Sequence, residues 1–351
     1  VYILKNANAR PFLKWAGGKG QLLTQLEVNF PQKLKEHKVK KYVEPFLGGG
    51  AVFFELNKHY QFEQVILNDF NVELIITYKV IRDSVNDLIS KLSVMESSFL
   101  EKNREQREAM YYEIRSLFNL EKRTIDYSKP SQDWITHASN LIFLNKTCFN
   151  GLYRLNSKGD YNVPFGDNKN PTICDKDNLK NVNLALQGVT LLHGDFELLT
   201  DYIDKDTFVY MDPPYRPLSG TSSFNNYQKS PFNDDSQKRL AAWYTKLHND
   251  KKASLMLSNS DPTNTDPTDT FFEELYKQFS ITKLSASRAI NSKGNGRGSI
   301  NELLITNEAL LNEEESKSIP KIEPETAIYN CIPKNQIVAD TTQNVLSKSF
   351  L

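Results

Sequence analysis

The residues with the clearest chemical content are Asp212-Pro213-Pro214-Tyr215, which follow directly on the apolar run Phe208-Val209-Tyr210-Met211. Two prolines fix φ and stiffen the backbone, so carbonyl oxygens can be aimed. A carboxylate beside an aimed carbonyl suits an aryl amine, whose lone pair is delocalised into its ring. Accepting both N–H bonds draws the nitrogen toward tetrahedral geometry and points the lone pair at an electrophile such as a sulfonium methyl. Tyr215 offers a flat face for a base that has left the stack, as base-modifying enzymes require. The chemistry calls for no metal and no covalent intermediate. Standing alone, the tetrapeptide is also readable as a proline turn after a strand.

A second candidate is Gly48-Gly49-Gly50, which ends the short apolar run 42–47 and precedes a helical pattern from Ala51. Glycine permits tight turns and close approach of backbone to a ligand. Asp69 lies about 20 residues further on, at the tip of the strand Val65-Ile66-Leu67, where doubly wound folds bind ribose hydroxyls. Phe53 stands where a dinucleotide fingerprint wants its last glycine, and no pyrophosphate clamp is evident. The turn therefore points away from NAD and toward a nucleoside without phosphates, with a plain structural turn as the other reading.

The segment Lys14-Trp15-Ala16-Gly17-Gly18-Lys19 lacks the outer glycine and the Ser or Thr of a Walker A loop, which argues against nucleotide hydrolysis. Trp15 offers a flat surface and Lys19 a charge for a carboxylate. The bland alternative is a buried tryptophan beside a surface lysine.

Elements that could hold these residues follow from hydropathy. Strand, glycine turn, helix, strand over 42–69 is a βαβ unit of a parallel sheet. Helical periodicity runs from about 72 to 120, and 121–180 reads as polar and loop-rich apart from Leu141-Ile142-Phe143-Leu144. Strand signals return at 189–192, 208–211, 254–258 and 303–305. The expected fold class is α/β, with one discontinuous sheet domain interrupted by a mostly helical insertion.

The 351 residues carry 43 basic and 43 acidic side chains, so no bulk basicity advertises nucleic acid. Between Arg10 and Lys41, however, eight basic residues face two acidic ones, either a nucleic-acid footprint or a solvated surface. Cys148, Cys174 and Cys331 form no C-x-x-C pair and the five histidines no ligand-spaced cluster, so neither a disulfide framework nor structural zinc is expected. A reducing, cytoplasmic setting fits. No apolar run approaches the roughly 18 residues of a membrane span, and the N-terminus, which begins at Val1, lacks a signal peptide's apolar core.

Together these motifs resemble the Dam-type (D12 class) DNA adenine-N6 methyltransferases, including restriction-associated members that modify GATC. The resemblance rests on residues 11–19, Glu44 to Gly50, Asn68-Asp69, Phe149 to Asn156, Asn162 to Gly166, Gly194-Asp195-Phe196, Asp212 to Tyr215 and the stretch 217–227. They occur in the family's order across about 10–307.

The resemblance implies a Rossmann-like S-adenosylmethionine-dependent methyltransferase sheet (1–71 and 186–310) with an inserted, mainly helical DNA-recognition domain (72–185) and a tail of unassigned role (311–351). It implies S-adenosylmethionine as cofactor, held by Trp15, Lys19, Phe46, Gly48, Gly50, Asp69, Asp195, Phe196 and Asp212, with Asp212, Pro213, Pro214 and Tyr215 as the catalytic centre. It implies double-stranded DNA as partner, contacted by Lys14, Asn150, Leu152, Arg154 and Pro164. Arg154 matches a guanine-reading arginine. Phe149 stands where some members insert a tyrosine into the duplex, which keeps an aromatic wedge and loses any hydroxyl contact. Arg288, Lys293 and Arg297 are expected at phosphates. A cognate restriction endonuclease acting on the same site is the implied protein partner, and a nucleoid-associated cytoplasmic setting the implied location. Cys148 is expected to pack rather than to react. Two rival functions remain at this point: methylation of the cytosine N4 amino group, which Asp212 disfavours, and a catalytically silent DNA-binding module.

Overall fold

The protein is described from a computed structural model covering residues 8–216, 232–287 and 299–312. Seven strands form one sheet: β1 (Lys41–Glu44), β2 (Gln64–Asp69), β3 (Thr190–His193), β4 (Thr207–Met211), β5 (Ser254–Ser260), β6 (Ser280–Ser287) and β7 (Ser299–Thr306). Their order is β3-β2-β1-β4-β5-β7-β6. The first five run parallel, β7 is antiparallel to β5, and β6 to β7.

Alternation along the strands sends side chains to two cores. Tyr42, Val65, Leu67, Phe208 and Tyr210 face one, which continues without a break among the helices of the middle segment. Val43, Ile66, Val209, Met211 and Leu255 face the other, covered by α8 (Asp234–Lys246). Burial on both faces is why β4 reads as an unbroken apolar run.

The chain lays down β1, β2 and β3 outward, then returns to β4 beside β1. Connections leave these two strands in opposite directions, and such a switch point opens a crevice at the strands' carboxyl ends. Val43 pairs with Val209, so the turns after Glu44 and after Met211 lie level with each other.

Short helices α1 (Leu23–Val28) and α2 (Gln32–Lys35) precede β1, α3 (Ala51–His59) joins β1 to β2, and the helices of the middle segment are α4 (Val72–Leu100), α5 (Arg104–Thr124), α6 (Gln132–Thr147) and α7 (Lys176–Ala185). Asn71 caps α4 by accepting from the Leu74 amide. At Ser84, with φ −143°, α4 kinks. The carbonyls of Ile81 and Arg82 just before it are taken by Asn183, and Gln187 also donates to Arg82, so the kink is braced from α7 and the turn after it. An Asn103–Gln106 capping box starts α5.

Two expectations need correction. The supposedly loop-rich stretch 121–180 contains α6, a helix buried on nearly every side. Most of its polar groups find partners inside: Ser139 and Thr147 donate to carbonyls four residues back, and Asn140 and the Nδ1 atom of His137 meet Glu121 of α5. A polar composition therefore hides a core helix. The expected strands also omitted β6, an outer strand that buries Leu284 and is otherwise rich in Ser, Thr and Lys. The tail expected from 311 lies outside the described residues from 313 onward, while Leu311 is buried.

Candidate active site

The glycine turn after β1 enters α3 (Ala51–His59) through left-handed residues, Gly48 at φ +49° and Gly50 at φ +71°. A Cβ on Gly48 would stand 2.9 Å from the Trp15 indole, and one on Gly50 2.8 Å from the Tyr78 hydroxyl. The Gly48 amide donates to Asp69 Oδ2 at 2.8 Å, and the Asn71 amide to Asp69 Oδ1 at 2.8 Å. Asn68 donates to the carbonyls of Pro45 and Gly194. The Asn68-Asp69 pair thus stitches the ends of three strands together. Burial pushes the Asp69 carboxyl up to about 6, although these amides work against the shift. A Gly48→Ala protein is expected to lose about 1–3 kcal/mol of stability, from left-handed strain and the contact with Trp15, read as a lower thermal midpoint.

After β4, Lys19 reaches the tetrapeptide. Its Nζ donates to Asp212 Oδ1 and to the Tyr215 hydroxyl, both at 2.6 Å, and lies 3.3 Å from Glu302 Oε2 of β7. The lysine is only 3 % exposed. Burial is the largest influence on it and disfavours its charge, yet Asp212, Tyr210 and Glu302 together hold its pKa above the ordinary value. Burial raises the Asp212 carboxyl to about 6, and Lys19 opposes that rise. The surface lysine envisaged as an alternative is therefore a buried one, and the carboxylates it meets belong to the protein.

The turn itself is braced. Gln237 of α8, held by Asn259, donates to the Pro214 carbonyl at 3.1 Å. Arg216 pairs with Asp234 and Asp269 and covers the Phe271 ring. Glu44, fully buried, accepts from the Tyr42 hydroxyl at 2.7 Å, and burial pushes its carboxyl well above the usual range.

Beyond β3, Asp195 accepts from the Glu197 amide and pairs with Arg239. The Phe196 ring is core, packed among Phe46, Phe232 and Trp243. What this segment offers a ligand is the Asp195 carboxylate and main chain. Phe70, 45 % exposed beside Asp69, adds an apolar face that sequence reasoning missed. Carboxylates, main-chain groups and flat apolar faces at this edge fit the hydroxyls and amino group of a nucleoside.

The expected DNA contacts gather on a hairpin that follows α6. Isolated bridges join Cys148 to Phe165 and Leu155 to Tyr161, and the Phe149 amide donates to the Pro164 carbonyl. Five side chains of α5 strap it: Tyr111 and Arg115 donate to the Val163 carbonyl, Asn119 exchanges bonds with Tyr161, Lys122 donates to Gly159 and Arg123 pairs with Asp160. Phe149 is 52 % exposed at the start of the hairpin, next to Asn150, which takes φ +58°. Arg154 Nε donates to Asn162 Oδ1 at 2.8 Å and Nη2 to the Asn162 carbonyl. Its fork is thus oriented by a neutral partner, the side chain and carbonyl of Asn162. Leu152 is partly buried and Pro164 exposed. The Lys14 side chain lies across Gly151, while its main chain exchanges two bonds with Asn145.

Not all expected residues converge. Lys33 to Lys41 precede or open β1, at the end of the sheet away from the crevice, and Lys38, Lys40 and Lys41 pair with Glu36, Asp206 and Asp204. A solvated surface accounts for them. Arg288, Lys293, Arg297 and the stretch 217–227 lie outside the described residues. Cys148 is buried, which raises its thiol pKa, in keeping with packing. Glu27, Glu55 and His59 bring possible ligand atoms within 4.8 Å, but Lys58 already pairs with Glu55. Among the described residues, no helix is long and apolar enough to cross a membrane.

A mostly parallel seven-strand sheet with an acid-proline-proline-aromatic turn at its switch point defines a methyltransferase of the Rossmann-like class. Residues 15–290 match the D12 class N6 adenine-specific DNA methyltransferases, and the chain belongs to that family. It is 51 % identical over 300 residues to the Type II methyltransferase M.MjaIII of Methanocaldococcus jannaschii, covering 85 % of this chain and 99 % of that one. It is 37 % identical over 302 residues to the Type II methyltransferase M1.LlaDCHI of Lactococcus lactis subsp. cremoris, covering 86 % and 96 %. Identity to the DNA adenine methylase of Escherichia coli K12 is 30 % over 298 residues, covering 84 % and 94 %. The protein is accordingly an adenine-specific DNA methyltransferase, which sets aside the cytosine-N4 and silent-module alternatives.

Proposed function

We propose that the chain transfers the methyl group of S-adenosylmethionine to N6 of an adenine flipped out of double-stranded DNA, within GATC. The observation that carries this is the juxtaposition, at one switch point, of Asp212 held by buried Lys19 and the glycine turn held by Asp69. When bound, S-adenosylmethionine supplies the sulfonium methyl. Asp69 spends two of about four acceptor sites on Gly48 and Asn71, which leaves others for ribose hydroxyls. Asp195 and the Phe196 main chain suit the cofactor's adenine, with Phe46, Trp15, Gly48 and Gly50 as walls. Lys19 serves the site through Asp212 and Tyr215.

On the substrate side, one Asp212 oxygen is engaged by Lys19, and the other accepts an N6 proton. Pro214's carbonyl is committed to Gln237, so Pro213's carbonyl accepts the second. Tyr215 stacks on the flipped base. The proton lost after transfer leaves through Asp212. Phe149, Asn150, Leu152, Pro164 and Lys14 meet the duplex and Arg154 reads a guanine, with Arg288 and Arg297 at phosphates. The helical segment 72–185 carries this reading. Two relatives bear Type II names, and on that likeness we read the chain as the modifying half of a restriction-modification system, active in the cytoplasm.

The test is tritiated-methyl transfer to GATC duplexes, with sequencing of modified sites in DNA from expressing cells. Incorporation into neither GATC nor scrambled duplexes would overturn the reading, and modification only at another sequence would overturn GATC. An Arg154→Ala protein is expected to lose about 1–3 kcal/mol of discrimination at one guanine pair, since a bidentate fork is gone. Comparing kcat/KM on duplexes substituted at single pairs checks this, and a uniform loss across all of them would count against the assignment.

A further inference from the structure

Tyr153 sits between two residues assigned to DNA, yet it is only 2 % exposed. Its ring stacks on Trp15, with centroids 5.3 Å apart and planes 29° from parallel. Trp15 in turn lies against Gly48, where no Cβ fits. The Tyr153 hydroxyl donates to Glu73 Oε2 at 2.8 Å, and Lys122 stands 3.1 Å from Glu73 Oε1 while donating to the Gly159 carbonyl of the same hairpin. Glu73 lies four residues beyond Asp69, in the first turn of α4. Asn145 bonds both the Lys14 main chain and the Gly151 carbonyl. The hairpin and the segment 14–19 are therefore joined at two points, and the far end of that segment is Lys19, on Asp212.

We infer that Tyr153 is a positioning residue that couples base reading by Arg154 to occupancy of the cofactor crevice; the inference rests on the function proposed above. Engagement of guanine shifts the main chain at Arg154, and Tyr153 follows it. With its hydroxyl pinned by Glu73, the ring cannot swing independently and carries the shift to the Trp15 indole. The indole bears on Gly48, whose amide is held by Asp69. Coupling between two bound partners is reciprocal, so a filled crevice fixes Trp15 and presets the reading hairpin.

The test uses the full chain and measures duplex affinity with and without S-adenosylhomocysteine, together with turnover on GATC and singly substituted duplexes. The parent is expected to bind its cognate duplex about tenfold more tightly when S-adenosylhomocysteine is present. Tyr153→Leu should reduce that factor to about one and flatten discrimination at the pair Arg154 reads. Tyr153→Phe keeps the stack but loses the bond to Glu73, so its coupling should fall between that of the parent and that of the ring-less variant. Should Tyr153→Leu fail to fold, Tyr153→Met fills similar volume without a ring and gives the same reading. Parental coupling and discrimination in the ring-less variant overturn the inference, as does absence of coupling in an active parent. A parent that binds S-adenosylhomocysteine nowhere and methylates no duplex overturns the functional reading first, and this inference with it.

Discussion

An Asp212→Asn protein is expected to transfer methyl groups roughly a thousandfold more slowly than the parent while remaining folded, because the substitution removes charge where charge develops. In the transition state the amino nitrogen becomes tetrahedral and positive. A carboxylate fixed beside it in a buried crevice stabilises that charge without reorganising. Asparagine keeps the shape and one acceptor oxygen, and Lys19 keeps Glu302 as a counter-charge, so the local packing has no reason to collapse. Single-turnover transfer of a tritiated methyl group measures the loss. Duplex and S-adenosylhomocysteine affinities near the parent's separate a chemical defect from a binding one. Turnover near the parent's would remove Asp212 from the centre.

The same carboxylate sets a pH dependence. Burial lifts it from the ordinary 3.8 to about 6, and only the ionised form accepts an N6 proton. The turnover rate of the parent should therefore rise with pH through a midpoint near 6 and level off above it. Stability runs the other way. A carboxyl whose pKa is raised by folding adds stability below its ordinary value and loses that contribution as pH climbs through about 6. Asp69, also near 6, adds to the same trend. Activity should therefore increase across the window from about pH 4 to 6 in which these two groups weaken the fold.

The residues legible in the sequence were those whose chemistry depends on main-chain geometry. Prolines after a strand and glycines before a helix constrain the backbone wherever they occur, so Asp212 to Tyr215 and Gly48 to Gly50 announced the two walls of the crevice. The residues that escaped act through long-range approach. Glu302 lies in β7 beside Leu303, Leu304 and Ile305, nearly 300 residues from Lys19, and nothing local distinguishes it from a strand's solvent-facing acid. Gln237 and Asn259 brace the Pro214 carbonyl from a helix and a strand that meet only through the sheet. Tyr153 looks like one more residue of a reading hairpin until the Trp15 ring is seen beneath it. The α6 helix was hidden for a related reason. Glu121, supplied by another helix, meets Asn140 and Nδ1 of His137, so burial there left no apolar stripe to read. Sequence periodicity reports on a core whose polar groups face water, and it falls silent where they find partners inside.

Lys19→Met is the substitution expected to cost most stability. Lys19 is almost fully buried, and Asp212 and Glu302, with side chains 18 % and 12 % exposed, share its charge. Methionine fills much of the space but supplies no charge, leaving two carboxylates facing each other in a poorly solvated pocket. Removing one partner of a buried ion pair costs about 3–5 kcal/mol. For a chain of this size that corresponds to a thermal midpoint lower by roughly 5 °C. The loss should itself depend on pH, and this identifies its origin. Without Lys19 the Asp212 carboxyl moves above 6, because the influence that opposed its rise is gone. Below about pH 4 the Asp212 carboxyl is protonated and the pocket misses its cation less, so the gap in midpoint between parent and variant should narrow. Above pH 7 the gap should be widest, and the acid limb of any residual turnover should lie higher than the parent's. Thermal unfolding followed at pH 4 and pH 8 checks both statements. A gap of equal size at the two pH values would mean that Lys19 stabilises the site by packing its stem rather than by holding the charge of Asp212.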